Sequence, residues 1–346
     1  MNIREVRQIL LIRNDKIGDL LLSTPFMHSL RKAIPWAKVT LVVSDYAREV
    51  LRGSYLVDEL LSWEAKDTMA KIAQRQWDVA VSLAPTSEAY KMAYASKAVI
   101  RAGIVYAERP LVKFMAKKWL NRPLFFDLRQ RLARRDKVPH EIEQFEQLAY
   151  HMGLANFDRE MVLNLDPEKL AEVKHKIDKK ALFFSGGVLG VQLAGRWINR
   201  DWKIPQLADL LIRLRHSFSD YLLTIFCGPQ EDKMGKELYQ RLKEKPGVMF
   251  FPTRSFAEWA SAVKQMTLLI APDCGGLHLA SALKVPVAAL YLPETYNLCS
   301  QQWAPWMVPH LKIKLRDYKN TSRELCTGVE GMLKMLKNKS EAVTER

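Results

Sequence analysis

The chain predicts an α/β protein of two domains, each built on a parallel sheet with helices on both faces. Three observations predict it. Short apolar runs alternate with helix-patterned segments through both halves. A polar stretch carrying Asp166-Pro167 separates the halves. Two strand-to-helix junctions, one per half, hold glycine next to acidic residues. Strand–helix alternation is the signature of parallel sheets, because a parallel crossover needs a covering helix. With 346 residues the chain suits two domains of ordinary size, and 48% hydrophobic residues supply a core for each.

In order, Ile9–Arg13 reads as a strand and Leu20–Ala33 as an amphipathic helix. Val39–Val43 reads as a second strand, Trp77–Leu83 as a third, with its helix near Glu88–Ser96. Asn156–Lys180 reads as the passage between domains, with a short helix from Glu168. Then come a strand at Ala181–Ser185, a helix at Ile204–His216, a strand at Tyr221–Cys227 and a helix at Gln230–Lys243. A strand at Leu268–Ala271, a helix at Leu277–Leu283 and a strand at Val287–Leu290 complete the pattern. The expected domains are residues 1–165 and 166–325, followed by a helix or tail over 326–346.

No apolar run approaches the roughly 18 residues of a membrane span, and the N-terminus has no signal-peptide pattern. The expected location is the cytoplasm. Four cysteines, Cys227, Cys274, Cys299 and Cys326, lack zinc-site spacing and read as reduced thiols. The net charge of +15 favours an anionic partner: nucleic acid, acidic lipid or a phosphorylated substrate. Lys97–Lys137 alone holds twelve Lys or Arg against three Asp or Glu, nine of those fifteen charges. Lys113, Lys117, Lys118, Arg122, Arg131, Arg134 and Arg135 are interleaved there with Phe114, Trp119, Phe125 and Phe126. Such a mixture suits an anionic membrane surface or a phosphorylated acceptor, with the aromatic residues entering the headgroup zone. The alternative is a solvated face over a buried stripe.

Three segments carry candidate chemistry. In Arg13-Asn14-Asp15-Lys16-Ile17-Gly18-Asp19, Gly18 admits a close ligand and Asp19 sits at a helix start, where it can take a proton from a hydroxyl or simply cap the helix. In Asp273-Cys274-Gly275-Gly276-Leu277-His278, glycines at a helix start suit phosphate, with His278 a donor or a buried structural histidine. In Gly195–Lys203, Arg196, Arg200 and Lys203 can neutralise a diphosphate, while Trp197 and Trp202 serve as packing anchors.

Together these segments resemble glycosyltransferase family 9, the ADP-heptose lipopolysaccharide heptosyltransferases. The resemblance rests on R-x-D-x-x-G-D at Arg13–Asp19 with Thr24-Pro25, and on D-x-G-x-x-H at Asp273, Gly275 and His278. Ala280–Leu290, Arg200-Asp201-Trp202 and Cys227-Gly228-Pro229 add to it, so that it runs from Ile9 to Trp306. It implies a GT-B fold, two Rossmann-like domains whose sheets face across a cleft, with acceptor on the first and nucleotide sugar on the second. It implies inverting transfer of heptose from ADP-L-glycero-D-manno-heptose to the inner core of lipopolysaccharide, at a Kdo (phosphorylated or not) or heptose hydroxyl. Asp19 is then the general base. Arg13, Lys16 and Gly18 lie on the acceptor side. Asp273, Gly275, Gly276 and His278 line the donor site, with Arg196 or Arg200 on the diphosphate. The chain departs from the pattern at Arg200, where the family has lysine, at Leu292-Pro293-Glu294 in place of G-P-T, and in the loop expected at Val188–Leu193.

The chain has no D-x-D triplet, so neither a metal nor another cofactor is expected. The expected partners are a nucleotide-sugar donor, a lipid A–Kdo acceptor and the inner face of the cytoplasmic membrane, on which the protein would sit peripherally. Two rivals remain open. One is a hexosyltransferase of the same fold with another donor. The other is a non-catalytic nucleic-acid-binding protein, which charge alone suggests and the absence of a recognised nucleic-acid module opposes.

Overall fold

The computed structural model describes residues 3–198 and 202–344. The chain divides into two compact units, Met1–Asn164 and Leu165–Arg346. The first contains strands β1 (Gln8–Arg13), β2 (Lys38–Val43), β3 (Glu59–Ser62), β4 (Val79–Ser82), β5 (Ile100–Tyr106) and β6 (Arg122–Phe126), in the order β3-β2-β1-β4-β5-β6. The second contains β7 (Gly187–Gln192), β8 (Tyr221–Cys227), β9 (Val248–Pro252), β10 (Leu268–Pro272), β11 (Val287–Tyr291) and β12 (His310–Lys314), in the order β12-β11-β10-β7-β8-β9. Every pairing is parallel. Each sheet is therefore doubly wound with a reversal of direction beside its first strand, between β1 and β4 and between β7 and β10. Ligands of such sheets bind at the carboxyl ends of the strands beside that reversal.

Helix Ile17–Ala33 positions the first site. Twelve of its seventeen residues are buried, so it is enclosed on nearly all sides rather than amphipathic. Phe26 meets Phe145 of helix Glu141–His151 with ring centroids 6.2 Å apart. Pro25 lies inside the helix and deprives the Leu21 carbonyl of its usual partner. The Thr24 hydroxyl replaces it, donating to Leu21 O at 2.7 Å, and also accepts from Val162 N at 3.0 Å. The Thr-Pro pair of the motif thus keeps this helix intact and ties residue 162 to it.

In the second unit Trp197 and Trp202 are wholly buried, with ring centroids 6.1 Å apart. Their indole N–H groups donate to Gln192 O and Arg316 O, as buried indoles require. They anchor both sides of the segment expected to meet the diphosphate.

Several sequence expectations need correction. Ala181–Ser185 is not a strand: helix Pro167–Ala181, fifteen residues long rather than short, runs into it, and Leu182 and Phe183 are exposed. The strand begins at Gly187, whose φ of +95° disfavours any side chain and whose Cβ would collide with Thr267 Oγ1. Val188–Leu193 is accordingly not a loop, since β7 fills it as far as Gln192. The strand expected third is the fourth, because the short, half-buried β3 precedes it. The helix expected over Gln230–Lys243 is a short 3-10 turn followed by Asp232–Gln240. A single helix, Tyr318–Thr344, spans the break expected at residue 326. Among the described residues no helix is long and apolar enough to cross a membrane, and all four cysteines are free.

Candidate active site

At the reversal of the first sheet, Arg13 ends β1 and is 1% exposed. Its guanidinium donates to Leu83 O, just past β4, so the arginine bridges the strands on either side of the reversal. Its Nε lies 3.1 Å from Asp15 Oδ1. Its Nη2 lies 2.5 Å from Glu141 Oε1, within a hydrogen bond, and 3.6 Å from Asp19 Oδ1. Phe145 lies under the guanidinium, 5.4 Å from ring centroid to Cζ.

One buried cation therefore meets three carboxylates. Burial opposes the charge on Arg13, yet Asp15, Glu141 and Asp19 together hold its pKa above the ordinary value. Asp15 is pushed up to about 7, by burial first and by the Asp19 and Glu141 carboxylates, against the pull of Arg13. Burial also raises the Tyr106 phenol at the end of β5, near Glu141 and Asp19.

Asp19 is the third residue of helix Ile17–Ala33, not its cap. Lys16 holds the cap position, and no side-chain hydrogen bond closes this end. The Asp19 side chain is 30% exposed, so it reaches solvent where Arg13 and Glu141 do not. Gly18 is buried and Lys16 exposed. Arg13 is enclosed rather than open to an acceptor; its part in the site is internal.

At the reversal of the second sheet, Asp273 follows β10 and is buried, and Arg196 reaches it in an ion pair while remaining half exposed. Helix Gly275–Ala282 starts beside it with no acidic residue in its first turn and no side-chain cap, so its positive end is available to an anion. Gly276 packs closely: a Cβ there would lie 3.2 Å from Gln192 Cγ. His278 is buried one turn further on. Arg200 lies outside the described residues.

Three residues near these loops escaped the sequence reading. Glu141 carries the buried partner of Arg13, and its only sequence signal is an acid opening an amphipathic helix, which ordinary capping also explains. Gln192 accepts from Trp259 Nε1 at 2.7 Å and donates to Leu193 O at 2.9 Å, which holds the end of β7 rigid. Glu231 follows the Gly228-Pro229 turn; burial raises its carboxyl pKa, opposed by hydrogen bonds that include one from the Gly195 backbone.

The basic segment folds as helix Pro110–Trp119, β6 and helix Leu128–Ala133. Lys117, Lys118, Arg122, Arg131, Arg134 and Arg135 are exposed and Lys113 is half-buried. Leu111 and Phe114 are 67% and 63% exposed. Phe126 is buried and Trp119 packs against the core, so neither is free to enter a headgroup zone. Alternation along β6 explains the first: Phe125 points out, so Phe126 points in. Among the described residues no group of three His, Cys, Asp or Glu could hold a metal ion.

The model of glycosyltransferase family 9 (heptosyltransferase) matches residues 67–324. A Haemophilus influenzae protein named "putative glycosyltransferase" is 24% identical over 316 residues, covering 87% of this chain and 86% of its own. The structure of Escherichia coli ADP-heptose lipopolysaccharide heptosyltransferase II superposes with a TM-score of 0.72 at 16% identity, covering 95% of this chain and 99% of its own. An Escherichia coli heptosyltransferase determined with ADP gives 0.65 at 16% identity, covering 94% and 97%. Both share the fold, two doubly wound α/β units. With the family model covering well over half of the chain, the chain belongs to glycosyltransferase family 9 and is a transferase.

Proposed function

We propose that the protein transfers heptose from ADP-L-glycero-D-manno-heptose to a Kdo or heptose hydroxyl of the lipopolysaccharide inner core. The observation that supports this most is the placement of unlike charge clusters at the two sheet reversals. A solvent-reaching carboxylate, Asp19, lies in the first unit. A helix N-terminus with Arg196 lies in the second. A carboxylate serves proton removal, and an uncapped helix start with a guanidinium serves a diphosphate.

In this reading the acceptor oxygen attacks the anomeric carbon and its proton passes to Asp19. The bond from that carbon to the diphosphate breaks, and ADP leaves with the bonding pair, inverting the configuration. Arg196 exchanges Asp273 for the developing phosphate charge, Arg200 is the alternative contact, and the Gly275–Gly276 amides and His278 complete the donor site. No metal takes part.

The test is ADP or UDP release with lipid acceptor, comparing ADP-heptose, ADP-glucose and UDP-sugars with and without excess EDTA. Release specific to ADP-heptose and undiminished by EDTA is expected. Preference for another donor overturns the heptose assignment. Loss of activity in EDTA, restored by Mg²⁺ or Mn²⁺, overturns the metal-free mechanism.

The reading also places the exposed basic and apolar surface around Leu111, Phe114, Lys117 and Arg134 on the anionic inner face of the membrane, where each well-placed charge is worth about 1 kcal/mol. Reversing Lys117, Lys118, Arg131 and Arg134 to glutamate should abolish most sedimentation with anionic vesicles at low salt and raise KM for lipid acceptor, leaving donor affinity unchanged. Equal vesicle binding by both proteins would make this surface merely solvated.

A further inference from the structure

Glu141 shares one nitrogen of Arg13 with Asp19, and shares it unequally. Nη2 lies 2.5 Å from Glu141 Oε1, in a hydrogen bond, and 3.6 Å from Asp19 Oδ1, beyond one. The Glu141 side chain is 5% exposed and that of Asp19 30% exposed. Nη1 is committed to Leu83 O, and Nε faces Asp15. The guanidinium thus gives its hydrogen bonds to the enclosed Leu83 O and Glu141, faces the part-exposed Asp15 through Nε, and leaves Asp19 with a longer, through-space attraction.

We propose that Glu141 is a positioning residue for the transfer reaction: it holds Arg13 off Asp19, so that the Asp19 oxygens stay open to the acceptor hydroxyl and its proton. This rests on the reading of Asp19 as general base. A base hydrogen-bonded by a guanidinium has a lone pair occupied and its charged form favoured, and both weaken it. Full pairing of Arg13 with Asp19 would produce that state, and Glu141 competes for the same hydrogen.

The charged and titratable groups facing Glu141 come from several elements. Arg13 ends β1, Asp15 follows it, and Asp19 lies on the first helix. Tyr106 ends β5, with Arg109 over its ring at 5.5 Å. On its own helix, Glu143 takes part in the cap at His140 and pairs with Lys137. Replacing Glu141 by a neutral group removes one negative charge from this set and frees Nη2 for Asp19. The guanidinium is then drawn onto the Asp19 oxygens that the acceptor hydroxyl needs.

The experiment compares wild type, Glu141→Gln, Glu141→Asp and Asp19→Asn in steady-state transfer at neutral pH, separating kcat from acceptor KM, with thermal unfolding and titration of ADP binding for each. For Glu141→Gln the expected result is a kcat lower by roughly tenfold or more at unchanged ADP affinity and acceptor KM. Glu141→Asp, which keeps the charge, should recover most of the lost kcat. If Glu141→Gln lowers only the unfolding temperature and keeps the wild-type kcat, Glu141 is a structural partner of Arg13 and the proposal is overturned. Turnover retained in Asp19→Asn would instead remove the general-base reading, an outcome that the Glu141 variants do not mimic.

Discussion

Asp19→Asn should fold, bind ADP as wild type does and turn over about 10²–10⁴-fold more slowly, the usual contribution of a positioned general base. The amide has nearly the carboxylate's size but takes up no proton at neutral pH. Asp19 contributes little that such a change would unfold: it is 30% exposed, makes no cap and sits 3.6 Å from Arg13. The loss should therefore fall on kcat. The measurement is single-turnover transfer with saturating donor, beside thermal unfolding. A variant within threefold of wild type would leave Asp19 with only a favourable position near a helix start.

Arg13→Met carries the largest expected effect on stability. Arg13 is 1% exposed and is a cation held among Asp15, Asp19 and Glu141. Removing one partner of a buried ion pair costs about 3–5 kcal/mol, because the other is left uncompensated. For a unit of this size that corresponds to a fall in unfolding temperature of roughly 6–20 °C. The pH dependence has a definite sign. Without Arg13 the crowded carboxylates bind protons more readily in the folded state than in the unfolded chain, so the variant gains stability as pH falls from 8 towards 5. Asp15, already raised to about 7 with Arg13 present, should lead this. Unfolding temperatures of both proteins at pH 8 and pH 5 test it, and a deficit that is absent at pH 8, or as large at pH 5, would count against an uncompensated carboxylate cluster.

Much of the architecture was legible in local pattern. The strand at Tyr221–Cys227 was read to its end residues, and those at Ile9–Arg13 and Val39–Val43 to within one, because continuous apolar runs ending in glycine or a charge have few other readings. Where local pattern misled, a non-local contact explains it. Ala181–Ser185 is apolar enough for a strand, but the preceding helix runs into it and β7 begins only where Gly187 fits beside Thr267. In the basic segment the charge excess was visible, but not which aromatic residues face the core.

What the sequence determined by itself was the fold class, the family resemblance and the two strand-to-helix loops, since each depends on residues close together in the chain. What only the tertiary structure decided was how the charges in those loops are shared. Arg13 and Glu141 are 128 positions apart, and Arg196 and Asp273 are 77 apart. No periodicity or spacing links such residues; they meet because strand order puts the ends of distant segments beside the same sheet reversal. Burial there determines which charges must pair internally and which, like Asp19, still reach solvent.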